Sequence, residues 1–125
     1  MSLLPEIRAT TAAVDGNSVT LTLFVSPQLD YFAGHFPGFP ILPGVVQVDW
    51  VVRLARHYLA SCRALDEGQF TALQSLKFSA PVLPSAELLL KLGWLPEKQR
   101  LEFSYNAGGR VMSSGQILFA GAVSK

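Results

Sequence analysis

Residues 34–64 read GHFPGFPILPGVVQVDWVVRLARHYLASCRA, and this stretch decides the fold. In its first part Pro37, Pro40 and Pro43, with Gly34 before them and Gly38 among them, deny the backbone the donors and torsions of a helix or a central strand. Beyond Gly44 the chain runs to Ala64 without glycine or proline, and Val45, Val46, Val48, Trp50, Val51, Val52, Leu54, Tyr58 and Leu59 put apolar groups nearly all round a helical wheel. A helix apolar on most faces is a buried one. The sequence therefore predicts an ordered aromatic loop followed by a central helix from Gly44 to about Ala64. Pro43 marks its start, Arg56, His57 and Arg63 suit the negative end of its dipole, and Asp66-Glu67-Gly68 ends it.

The segments on either side read as strands. Glu6 to Val14 and Asn17 to Val25 are rich in Thr and Val, with Val19, Leu21, Leu23 and Val25 alternating, and Asp15-Gly16-Asn17 between them is a hairpin signal. After the helix, four more strands are predicted over Phe70 to Ala80, Ala86 to Leu95, Arg100 to Asn106 and Arg110 to Val123. They are separated by Pro81 to Ser85, Pro96-Glu97-Lys98 and Ala107-Gly108-Gly109. The fold class is α+β: an antiparallel sheet of about six strands wrapped around one long helix, in a single domain spanning residues 1–125.

Composition narrows the function. The 125 residues carry 10 Lys+Arg against 9 Asp+Glu, a formal net charge of +1. Without a basic run there is little to neutralise phosphates, so nucleic acid is not the expected partner. Only 15% of residues are charged while half are apolar, and that imbalance predicts a large buried subunit interface. The apolar runs are interrupted by Asp49, Arg53, Arg56 and Lys91, too short for a membrane span, and MSLLPEIRAT does not have the form of a signal peptide. A cytoplasmic location is expected. The single cysteine, Cys62, allows no intrachain disulfide and reads as a small buried helix residue. Two histidines 22 positions apart, and no glycine-rich phosphate loop after a strand, suggest neither a metal nor a nucleotide cofactor.

The loop and the helix start together carry a chemistry. Backbone N–H groups at a helix N-terminus are unsatisfied and sit at the positive end of the dipole, so near Gly44 they can hold a thioester oxygen as it gains negative charge. The imidazole of His35 can take up a proton at cellular pH. Asp49, set in an apolar helical stretch, is expected to be poorly solvated and so paired or used, for instance to protonate a departing hydroxyl. Each also has a plainer reading: a structural loop histidine, a glycine present for close packing, and an ion pair with Arg53 four residues on.

His35, Phe36, Gly38, Pro40, Pro43, Gly44 and Asp49 closely resemble the signature of the FabA/FabZ-type β-hydroxyacyl-acyl-carrier-protein dehydratases. Lys77-Phe78 with Pro81-Val82-Leu83-Pro84 looks like that family's strand and Pro-Val-x-Pro-Gly turn, with Ser85 in place of the glycine, and Gly109-Arg110-Val111 resembles its last hairpin. The resemblance implies a hotdog fold and a homodimer, or a higher even homo-oligomer, with shared active sites. It implies that His35 removes the α-proton, the Gly44 N–H holds the thioester oxygen, and Asp49 of the partner subunit protonates the hydroxyl. The Ile41 carbonyl would orient the imidazole. The substrate implied is a 3-hydroxyacyl chain on acyl-carrier protein, and Arg56, Arg63 and Lys77 are candidates for a basic patch that receives the carrier. Aromatics at Tyr31, Phe32, Phe36, Phe39, Phe70, Phe78 and Phe103 offer walls for an acyl or conjugated chain, and the compact chain is similar to the dehydratases of aryl-polyene pathways.

Two departures stand out. Short relatives mostly have Glu where this chain has Asp49, and Gln, holding a water, where it has Arg53. A guanidinium at that spacing can reach Asp49, favours its ionised form and so tunes the site, and an ionised Asp49, a poorer acid, would position water or substrate instead. Double-bond isomerisation, typical of the longer FabA kind, is not expected at this length. The rival readings are a hotdog acyl thioesterase, whose carboxylate would activate water, and a non-catalytic acyl-binding hotdog module.

Overall fold

A computed structural model describes residues 4–29, 41–62 and 70–119. Six strands form one antiparallel sheet: β1 (Glu6–Ala12), β2 (Ser18–Phe24), β3 (Phe70–Phe78), β4 (Glu87–Leu95), β5 (Arg100–Ala107) and β6 (Arg110–Phe119), in the spatial order β1-β2-β4-β5-β6-β3. The hairpins follow their turn residues. At Asp15-Gly16-Asn17 the Asn17 N–H donates to Asp15 Oδ1 (2.9 Å), and between β5 and β6 Gly108 and Gly109 both take positive φ, which a two-residue hairpin turn requires.

Alternation fixes which face is buried. Leu21 pairs with Leu90, Leu90 with Tyr105, and Leu92 with Phe103, so a continuous apolar layer crosses β2, β4 and β5. On that layer lies α1 (Gly44–Tyr58), which buries Val46, Gln47, Val48, Trp50, Val51, Val52, Leu54 and Ala55. Trp50, Leu21, Leu90, Tyr105 and Ile117 belong to the same core. This is the hotdog arrangement of one helix held against an antiparallel sheet.

The structure changes three details of the sequence reading. The α-helix ends at Tyr58, not near Ala64: Leu59 turns to an extended conformation to bury its side chain, and a 3-10 turn over Ala60–Cys62 follows. Cys62 sits on that turn and is buried. Secondly, the helix is not covered all round, since Val45 is 76% exposed. Thirdly, β3 is an edge strand carrying a bulge between Gln74 and Lys77, with Ser75 at φ 52°, and it leaves Leu73, Leu76 and Phe78 exposed.

Candidate active site

The start of α1 is fixed from outside the helix. Pro43 is its N-cap, in an extended conformation that lends no side-chain hydrogen bond, and its carbonyl accepts from the N–H groups of Val46 (3.1 Å) and Gln47 (3.2 Å). The N–H groups of Gly44 and Val45 therefore have no acceptor within the helix, which leaves two donors at the positive end of a 15-residue helix. Just upstream, the Leu42 N–H donates to the Val82 carbonyl (2.8 Å), tying the approach to α1 to the Pro81–Pro84 turn. Phe78 closes the other side: a Cβ on residue 44 would stand 2.6 Å from its Cζ, so any side chain there requires the ring or the helix start to shift.

A groove of about 580 Å3 runs between the outer side of α1 and β3, lined by Gly44, Val45, Val48, Asp49, Val52, Leu73, Leu76 and Phe78. Among the described residues its walls are apolar except for the Asp49 carboxylate. Asp49 and Gly44 therefore face the same space, one helical turn and a half apart. The Asp49 side chain lines this groove and is 39% exposed in the single subunit. Its Oδ2 accepts from Arg53 Nε at 2.7 Å, the pairing that the four-residue spacing predicts. A second cavity of about 440 Å3, lined by Ile41, Pro43, Gly44, Gln47, Phe78 and Pro81 among others, adjoins the helix start.

Beneath the groove lies a polar network that sequence reasoning missed. Gln47 is 3% exposed; its Nε2 donates to the Leu42 carbonyl (3.2 Å) and its Oε1 accepts from Ser113 Oγ (2.7 Å). The Tyr105 hydroxyl donates to the Gln47 carbonyl (2.6 Å). Burial, with the nearby Asp49 charge adding to it, holds the Tyr105 phenol well above its ordinary range. These bonds tie the first turn of α1 to β5 and β6, so the Gly44 and Val45 donors are mounted on the sheet. A signal existed in the sequence: Ser113 falls at an inward position of β6, in phase with Ile117 and Phe119, where a polar group needs a partner.

Among the remaining predicted residues, Ile41 borders the second cavity, Arg56 is half-buried near the end of α1, and Lys77 is exposed on β3. His35 and Arg63, with Tyr31, Phe32, Phe36 and Phe39, lie outside the described residues. The groove thus unites Gly44 and Asp49, with Arg53 behind the latter.

A hotdog fold with free N–H donors and a carboxylate on one apolar groove defines a class, and comparison with known proteins narrows it. Residues 11–116 match the model of the ApeI-like family, described as ApeI dehydratase. By that match the chain belongs to the ApeI-like dehydratase family. The chain is 36% identical over 98 residues to a protein of Acetivibrio thermocellus named 3-hydroxyacyl-[acyl-carrier-protein] dehydratase FabZ; the match takes in 72% of this chain and 65%, just under two thirds, of that protein. A protein of the same name from Ruminiclostridium cellulolyticum is 30% identical over 113 residues, 84% of this chain and 78% of that one. Among solved structures, the dehydratase heterocomplex ApeI:P from Xenorhabdus doucetiae superposes with a TM-score of 0.81 at 34% identity, covering 96% of this chain and 99% of that chain.

Proposed function

We propose that this chain removes water from 3-hydroxyacyl groups carried as thioesters on acyl-carrier protein, giving trans-2-enoyl thioesters for fatty-acid or aryl-polyene synthesis. The observation that carries the reading is the shared groove: Gly44, whose N–H has no acceptor within the helix, and Asp49 both line one apolar space. Elimination needs both, because negative charge develops on the thioester oxygen while the hydroxyl must leave as water. In this reading the Gly44 N–H holds the oxygen, His35 takes the α-proton, Asp49 gives a proton to the hydroxyl, and the Ile41 carbonyl orients the imidazole. Membership of a dehydratase family, and relatives named as 3-hydroxyacyl-[acyl-carrier-protein] dehydratases, support it.

The working unit in this proposal is a cytoplasmic homodimer, or a higher even homo-oligomer, in which each site joins His35 of one subunit to Asp49 of the other. The exposed Leu73, Leu76 and Phe78 on edge strand β3 support such an assembly, since an apolar sheet edge calls for a partner. Arg56, Arg63 and Lys77 would receive the acidic carrier. No helix of the described residues is long and apolar enough to cross a membrane.

The test is to incubate the protein with 3-hydroxyacyl-acyl-carrier proteins of several chain types and weigh the carrier. Loss of one water from the carrier-bound acyl group is the expected result. Release of the free carrier thiol would replace this reading with the thioesterase one, and binding without any change in mass would replace it with the non-catalytic one.

A further inference from the structure

The ion pair behind Asp49 bears on how the proposed reaction is organised, and the inference rests on that reading. Arg53 Nε donates to Oδ2 of Asp49 at 2.7 Å, from one helical turn further along α1. Asp49 lines the groove, and Arg53 is not among the described residues that line it. With Oδ2 committed to Arg53, and no other described hydrogen bond to Asp49, Oδ1 is the oxygen left for a substrate hydroxyl. The pair is too exposed to matter much to the fold, with side chains 39% and 56% exposed, and ion pairs in such settings contribute little stability.

We infer that Arg53 is a positioning residue for the dehydration: it fixes the carboxyl group so that Oδ1 meets the 3-hydroxyl, and it balances the charge that Asp49 acquires in the step. The step starts from the form of Asp49 that carries its proton on Oδ1 while Oδ2 still accepts from Arg53: the α C–H bond breaks and its proton goes to His35, while the C–O bond at C3 breaks as the departing oxygen takes the proton from Asp49 Oδ1. The electron pair left at the α-carbon forms the C=C bond, and one water leaves. Asp49 ends as a carboxylate and His35 as an imidazolium; transfer of one proton from His35 back to Asp49 through water restores the resting site. Negative charge thus develops on Asp49 in the transition state, and a guanidinium already seated at Oδ2 meets it without reorganisation. The same contact narrows the rotamers of Asp49 and so the orientations of Oδ1. Arg53 supplies this through Asp49, without touching substrate.

The test is a double-mutant cycle on the full-length protein with a 3-hydroxyacyl-acyl-carrier protein. The variants are Arg53→Gln, Arg53→Lys, Asp49→Asn and Asp49→Asn/Arg53→Gln, each checked for melting temperature and oligomeric mass. The expected result is that Arg53→Gln lowers kcat roughly ten- to a hundredfold, in line with loss of one charge-stabilising donor, with KM within about twofold. Arg53→Lys should regain most of that rate. In the Asp49→Asn background, Arg53→Gln should cost nothing further, because its effect runs through the carboxylate. A merely structural role would give the same fractional loss in both backgrounds and no rescue by lysine. Wild-type turnover that Arg53→Gln leaves unchanged, or equal losses in the two backgrounds, would overturn the inference while leaving the dehydratase reading intact. A wild type that forms no enoyl product would remove the reading itself, and this inference with it.

Discussion

The Phe78 ring stands end-on against Gly44, so close that a Cβ on residue 44 would lie 2.6 Å from Cζ and about 3 Å from both Cε atoms. One contact thereby joins edge strand β3 to the start of the helix and sets the spacing of the groove that both line. Gly44→Ala must push either the ring or the first helical turn aside, at about 1–3 kcal/mol for overpacking. A melting temperature several degrees lower and a kcat at least tenfold lower are expected. Adding Phe78→Leu should recover the stability more fully than the rate, because the displaced N–H donors are what the rate depends on. Thermal melts and turnover of the single and double variants check this.

Ser113→Ala tests the network under the helix. It leaves Oε1 of the buried Gln47 without its donor, and an unsatisfied buried acceptor costs about 1–3 kcal/mol. Tyr105→Phe removes a bond to the Gln47 carbonyl and should cost about 1 kcal/mol. Because both bonds hold the first turn in place, each variant should also lose rate, and denaturant unfolding with parallel kinetics separates the two effects.

Ser85 occupies the position where the resembled Pro-Val-x-Pro-Gly turn has glycine, and it takes φ 70°. A side chain in the left-handed region costs about 1 kcal/mol relative to glycine. Ser85→Gly should therefore stabilise the protein by about that amount, with kcat unchanged, as read from the denaturation midpoint. An unaltered or lower midpoint would show that the serine side chain compensates for its backbone.

Burial pushes the Cys62 thiol from 9.0 up to about 12. The folded state keeps the proton where the unfolded chain releases it, so the unfolded state binds fewer protons above pH 9. Stability on this account is fully present below about pH 9 and falls as the pH rises towards about 12. Tyr105, also raised, adds to the same alkaline loss. Cys62→Ala should flatten the fall in melting temperature over that window, and a thiol reagent should label native Cys62 slowly at neutral pH and rapidly once the protein is unfolded.

Much of this was legible in the residues because period-two alternation and turn signals leave few choices. All six strands, the Asp15-Gly16-Asn17 and Gly108-Gly109 turns and the helix start at Gly44 lie where the pattern puts them. The helix end did not, because Leu59 and Cys62 continue the apolar run and nothing local announces that Leu59 turns extended to reach the core. Periodicity likewise cannot tell which valines of a uniformly apolar helix face an open groove. Val45 therefore read as core. Gln47, hidden between Val46 and Val48, acquires its meaning only from Ser113, 66 residues further on. The Asp49–Arg53 pair was legible from spacing alone, whereas the groove that gives it a use needed β3 beside the helix.

The most direct test of the central claim follows the absorbance of the conjugated enoyl thioester formed from a 3-hydroxyacyl-acyl-carrier protein by the wild type, His35→Ala and Asp49→Asn. The account predicts enoyl formation by the wild type and a loss of at least about a hundredfold in each variant, with melting temperature and oligomeric mass preserved. Absence of enoyl product from the wild type across short, long and polyenoyl substrates, or full activity in Asp49→Asn, would contradict it.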